Sequence, residues 1–122
     1  MVSIVPLDKI GADERGSTYT FDNDRTGQFI VALRKAGSQS GGNYHTGVHP
    51  YKNPEKLVIM QGDCKLYWAN LAGTEAGIIM VAGPAQIIIP ANVWHKLVGV
   101  TDFVMLELNG LDAGVGDTLV VS

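Results

Sequence analysis

The stretch Gly41-Gly42-Asn43-Tyr44-His45-Thr46-Gly47-Val48-His49-Pro50-Tyr51-Lys52-Asn53-Pro54-Glu55-Lys56-Leu57-Val58-Ile59-Met60-Gln61-Gly62 decides how this chain reads. It holds two of the three histidines, one glutamate, and an apolar run that ends at a glycine turn. The third histidine closes a second block, Gly83-Pro84-Ala85-Gln86-Ile87-Ile88-Ile89-Pro90-Ala91-Asn92-Val93-Trp94-His95. Imidazole is both a common metal ligand and a side chain whose proton affinity suits acid–base work near neutral pH. Histidines confined to two short blocks, with Glu55 beside them, point to one metal or proton-transfer site.

Outward from these blocks the pattern is one of strands. Ser17 to Phe21, Gln28 to Arg34, Lys56 to Gln61, Lys65 to Leu71, Ile78 to Val81, Gln86 to Ile89, Trp94 to Val98 and Phe103 to Asn109 are short and rich in Val, Ile, Leu, Tyr and Phe. Gly, Pro, Asn or Asp separates most of them, as expected of an all-β chain. Gln61-Gly62-Asp63-Cys64 is a turn signal, so Lys56 to Leu71 reads as a hairpin. Pro6 to Gly11 carries one short turn at most, because no segment shows a capped helical period. Many short strands in so small a chain favour a barrel or a two-sheet jelly roll.

Composition narrows the function classes. The 122 residues allow one domain, 1–122, with a barrel core from about 17 to 109. Hydrophobic residues make up 46% and charged residues 17%, which excludes a disordered chain. A net charge of −3 and dispersed basic residues leave no nucleic-acid or membrane footprint. Lone Cys64 cannot form an internal disulfide, and no basic-apolar leader is legible, so a cytoplasmic setting is expected.

The two blocks resemble the two motifs of the cupin superfamily. His45, His49, Glu55 and Gly62 stand as in the first motif, and Gly83 to His95 as in the second. Asp13-Glu14-Arg15-Gly16-Ser17 is similar to the start of 3,5-epimerase-like sugar-nucleotide cupins, and Lys52 to Val58 to a strand of capsular-sugar cupin domains. The resemblance implies a double-stranded β-helix, a jelly-roll barrel. It implies a divalent metal (zinc, iron, manganese or nickel) on His45, His49, Glu55 and His95, or the same site working without one. Two departures stand out. His45 and His49 are four residues apart, roughly 13 Å along a regular strand, unless Gly47 marks a bulge or bend. Asn92 stands where the second motif usually carries glycine.

The chemistry so implied is a sugar or nucleotide-sugar epimerase or isomerase of carbohydrate or polysaccharide biosynthesis. His45 is then the base, and Tyr51 is the proton donor. Tyr44, Tyr67 and Trp94 supply aromatic faces for a sugar, and Arg34 and Lys56 its polar contacts. Two histidines and one carboxylate also match iron dioxygenases, and a small-molecule-binding cupin without chemistry is the third reading. Apolar strand edges on so small a barrel favour a homodimer.

Overall fold

The computed structural model describes residues 1–115 and 117–120. Among them the strands in chain order are β1 (Ser3–Pro6), β2 (Asp8–Asp13), β3 (Gly16–Thr20), β4 (Ile30–Arg34), β5 (Gln39–His45) and β6 (Glu55–Gln61). They continue as β7 (Asp63–Asn70), β8 (Ala76–Ala82), β9 (Ala85–Ile89), β10 (Val93–Gly99), β11 (Phe103–Glu107) and β12 (Thr118–Val120), with a 3-10 turn at Leu111–Gly114 before β12. No α-helix forms among the described residues, and no helix is long and apolar enough to cross a membrane.

Two five-stranded antiparallel sheets face each other. The first has the order β1-β9-β6-β11-β4 and the second β12-β5-β10-β7-β8, while β2 and β3 form a separate two-stranded ribbon. From β4 onward the chain passes back and forth between the two sheets, the winding of a cupin jelly roll. All eight strands expected from the sequence are present. Four more appear where no strand was expected: β1, β5, β12, and β2 across the segment read as a short turn. β1 and β12 lie outside residues 17–109 and add an edge strand to each sheet.

The expected hairpin over Lys56 to Leu71 does not form. β6 pairs with β9 and β11, β7 pairs with β8 and β10, and the turn at Gly62 carries the chain from one sheet to the other. Gly62 has φ +90°, and a Cβ there would run into the Asp102 carbonyl oxygen. Only a glycine fits so abrupt a crossing.

Period-two alternation places the side chains that face the site, although β6 also buries Val58 on its outer face. Along β10, Val93, His95, Leu97 and Gly99 are buried while Trp94, Lys96 and Val98 are half-buried on the outer face. Along β6 the inward positions run Glu55, Leu57, Ile59, so a charged group gives way to core within two residues. Leu57, Ile59, Leu66, Ile87, Ile89, Leu97, Phe103 and Met105 fill the space between the sheets. Each fully buried aliphatic side chain of this kind contributes roughly 1.5–3 kcal/mol, which anchors the walls on which the polar residues stand.

Candidate functional site

His45 ends β5 and His95 lies within β10, both on the second sheet; Glu55 begins β6 on the first. All three are almost wholly buried, at 5%, 5% and 3% exposure. Glu55 Oε1 lies 3.1 Å from His95 Nε2 and 3.6 Å from His45 Nε2. Its other oxygen accepts a hydrogen bond from Lys52 Nζ at 2.5 Å. One carboxylate therefore joins two imidazoles from one sheet to an ammonium beside the other. Burial alone would raise the Glu55 pKa. The hydrogen bonds to His45 and His95, with the charges of His95 and Lys52, overcome that and hold it well below the usual carboxylate range.

The far nitrogen of each ring is fixed by a main-chain carbonyl. His45 Nδ1 donates to Asp117 O at 3.1 Å, and His95 Nδ1 donates to Val93 O at 3.0 Å. A carbonyl can only accept, so each ring carries a proton on Nδ1 and turns Nε2 toward Glu55; a protonated ring donates from Nε2 to the carboxylate, and a neutral ring presents a lone pair there. Lone pairs facing an anionic oxygen at these distances repel unless a proton or a cation lies between them. The three ligating atoms lie within 4.8 Å of one another. That suits a small divalent ion with ligands at about 2.0–2.2 Å, whose tetrahedral edges are about 3.4 Å. His45, Glu55 and His95 thus fit a metal by donor type, protonation and spacing.

Asp117 is the hidden support of this arrangement. Its carboxylate, 1% exposed, accepts the amides of Thr46, Gly47 and Val48 at 2.6, 2.9 and 3.0 Å, and the Thr46 hydroxyl. These bonds bend the chain away from β5 directly after His45. Gly47, at φ +88°, makes the bend, and a Cβ there would lie 2.8 Å from Asn53 Cβ. Burial would raise the Asp117 pKa, but the Thr46 hydroxyl and the three amides hold it below the ordinary value.

The bend carries His49 away from the site. Its Nδ1 accepts the Tyr51 amide at 3.1 Å, its ring meets the Tyr51 ring edge-on at 5.3 Å, and both border a different hollow with Gln28 and Asp112. The expected ligand set of four thus narrows to three. Tyr51 does not face His45 either. Its hydroxyl accepts the Thr26 amide at 3.0 Å, and the buried Arg25 guanidinium lies over its ring at 4.7 Å. Arg25 also donates to the carbonyls of Tyr51, Pro54 and Leu108, which clamps the loop that delivers Lys52 and Glu55.

Between the sheets the site opens into a cavity of about 230 Å3. Of the expected substrate contacts, Arg34 lines it; Tyr44, Lys56, Tyr67 and Trp94 do not. Period-two alternation explains the difference, since Tyr44 and Trp94 neighbour the inward His45 and His95 and so face outward. Lys56 pairs with Asp24 at 3.4 Å, and Tyr67 is covered by the Lys96 ammonium at 5.1 Å. Two charged lining residues, Lys52 and Glu107, stand outside the expected site residues. Lys52 was legible only as one of the few basic residues, with Arg34, Lys56 and Lys96, available for a polar contact. Glu107 did give a signal, because Phe103, Met105 and Glu107 share the inward face of β11 and a carboxylate there is out of place in a plain core. Burial first, then Glu55, raises the Glu107 pKa.

No family model matches the chain, and no curated protein matches it. Solved structures do match. A double mutant of the 3,4-ketoisomerase QdtA from Thermoanaerobacterium thermosaccharolyticum, in complex with TDP, superposes with TM-score 0.75 at 19% identity, covering 97% of this chain and 86% of that one. The TDP-quinovose 3,4-ketoisomerase WlaRB from Campylobacter jejuni gives 0.66 at 19%, covering 87% and 82%. The 3,5-epimerase RmlC from Legionella pneumophila, in complex with dTDP-4-keto-L-rhamnose, gives 0.66 at 15%, covering 87% and 65%. At these identities the shared property is the fold.

Proposed function

We propose that this chain is a cupin isomerase or epimerase acting on a keto-sugar in carbohydrate biosynthesis. The observation that carries the reading is the convergence of His45, His95 and Glu55 in a cavity, with both Nδ1 atoms tied to main-chain carbonyls. Moving a proton next to a carbonyl needs a base on one side and a donor on another. His45 Nε2, held with its lone pair inward, is the base. Glu107, on the opposite sheet and kept protonated to higher pH by its burial, returns the proton. Lys52 keeps Glu55 anionic and turned toward the histidines. The same three residues would alternatively hold a divalent ion; His45 Nε2 would then be a ligand and not the base, and the ion would supply Lewis acidity toward a carbonyl oxygen.

The test is solvent exchange. In deuterated water a keto-sugar substrate should gain deuterium beside its carbonyl, and His45→Ala should slow this by about 100-fold or more. The same two-histidine, one-carboxylate set also suits an iron oxygenase. Dioxygen consumption with no solvent exchange would establish that second reading and end the first.

The working assembly we infer is a homodimer. Every residue of the β2–β3 ribbon is exposed on both faces, Ile10 at 65% and Tyr19 at 38%, and an isolated two-stranded ribbon is marginal in water. A second copy covering the ribbon supplies the missing burial. Light scattering should give twice the 13.0 kDa chain mass; a monomer at micromolar concentration would refute the assembly.

A further inference from the structure

We propose that Arg34 is an anion clamp inside the cavity, and that the ligand is an acidic molecule of monosaccharide size held there by its carboxylate. The proposal rests on the reading of this cavity as the substrate site and adds the class of substrate.

Size sets the first limit. A space of about 230 Å3 falls below the roughly 300–1,000 Å3 of pockets that enclose drug-sized ligands. It takes a single sugar ring between the sheets, and any group attached to that ring would extend out of the open mouth.

Charge sets the second. Of the two lysine and arginine side chains that line the cavity, Lys52 is committed to Glu55. Arg34 is not committed. Its Nε donates to Ser40 Oγ at 2.9 Å, which anchors the head group, and among the described residues no carboxylate forms an ion pair with it. Glu107 lines the same cavity without reaching it. Both terminal nitrogens of Arg34 therefore remain as an open fork. Leu57, Leu97 and Met105 in the flanking walls are apolar, and among the described residues Asn43, Thr118 and Glu107, which feels the Arg34 charge, form no hydrogen bond with it. A planar guanidinium with one nitrogen anchored and two free matches a planar carboxylate by two parallel hydrogen bonds. The fork stands on β4 of the first sheet, and His45 and His95 stand on the second. A ligand held at one end by Arg34 lies across the cavity with its ring toward the histidines.

Calorimetric titration with four probes tests this: D-glucuronate, its methyl ester, glucose 6-phosphate and TDP. D-Glucuronate should bind at least about tenfold more tightly than the ester, the usual value of a charge-assisted pair. Arg34→Met should bring glucuronate down to the level of the ester and leave the ester unchanged. Arg34→Lys, which keeps the charge and loses the fork, should fall between, and Ser40→Ala should weaken glucuronate by a smaller factor. Equal binding of acid and ester, binding unaffected by Arg34→Met, or no binding of glucuronate would each overturn the clamp. Preference for glucose 6-phosphate or TDP would overturn the carboxylate assignment. Solvent exchange on a neutral keto-sugar without an acid preference sinks this proposal alone. An acid preference without exchange sinks the isomerase reading and leaves the clamp standing.

Discussion

Replacing Asp117 by asparagine removes an acceptor that serves three amides and one hydroxyl. Hydrogen bonds to a charged group are worth roughly 1.5–3 kcal/mol, so urea melts of Asp117→Asn should show a loss of about that size at pH 7. Because the folded pKa is lowered, this contribution is present above the ordinary aspartate value and disappears as pH falls through the lowered one. The difference between the two proteins should close in acid; a constant gap down to pH 2 would contradict the assignment. Glu107 has the opposite sign. Its raised pKa favours folding at low pH, an advantage lost as pH rises through the raised value. Glu107→Gln should therefore melt higher than the parent at pH 7.5, with the gap narrowing toward pH 4, while proton return slows. Cys64 is fully buried, and burial, with Asp63 second, pushes its thiol up to about 11. It should resist maleimide at pH 8 until the protein unfolds.

Elements differ in how plainly the sequence announces them. At the turn between β9 and β10, Asn92 takes φ +62°, a left-handed conformation that asparagine and glycine tolerate far better than other residues. That accounts for an asparagine at the position where the motif it resembles carries glycine. Asn92→Gly should melt within a degree or two of the parent, whereas Asn92→Ala should lose about 1 kcal/mol. β6, β9 and β10 were legible because apolar and β-branched residues mark them. β5 was not: Gln39-Ser40-Gly41-Gly42-Asn43-Tyr44-His45 has no β-branched residue, and only pairing with β10 and β12 makes it a strand. Missing β5 hid the strand end that carries His45 and left the four-residue spacing to His49 unresolved. The histidine blocks, Glu55 and Arg34 could be read as site residues from the sequence. Asp117 could not, because its role depends on a contact about seventy residues away.

At the scale of the molecule, the sheet-to-sheet crossing at Gly62 was misread as a hairpin because a glycine turn signals a reversal without saying which strand the chain meets next. The crossings matter because they bring His45 and His95 from one layer opposite Glu55 from the other. A divalent ion on these three residues would bind only the folded chain, and at a hundred times its dissociation constant would add about 2.7 kcal/mol. Zinc or manganese should raise the melting temperature of the parent and leave Glu55→Gln unmoved; equal shifts in both would place the binding elsewhere. The tethering of both imidazoles to carbonyls has a longer consequence. A carbonyl belongs to the peptide chain and survives any change of side chain. The direction of the two Nε2 atoms is thus inherited with the path of the backbone, so residues around the pocket are free to drift and reshape what is admitted while the reactive nitrogens stay aimed at one point.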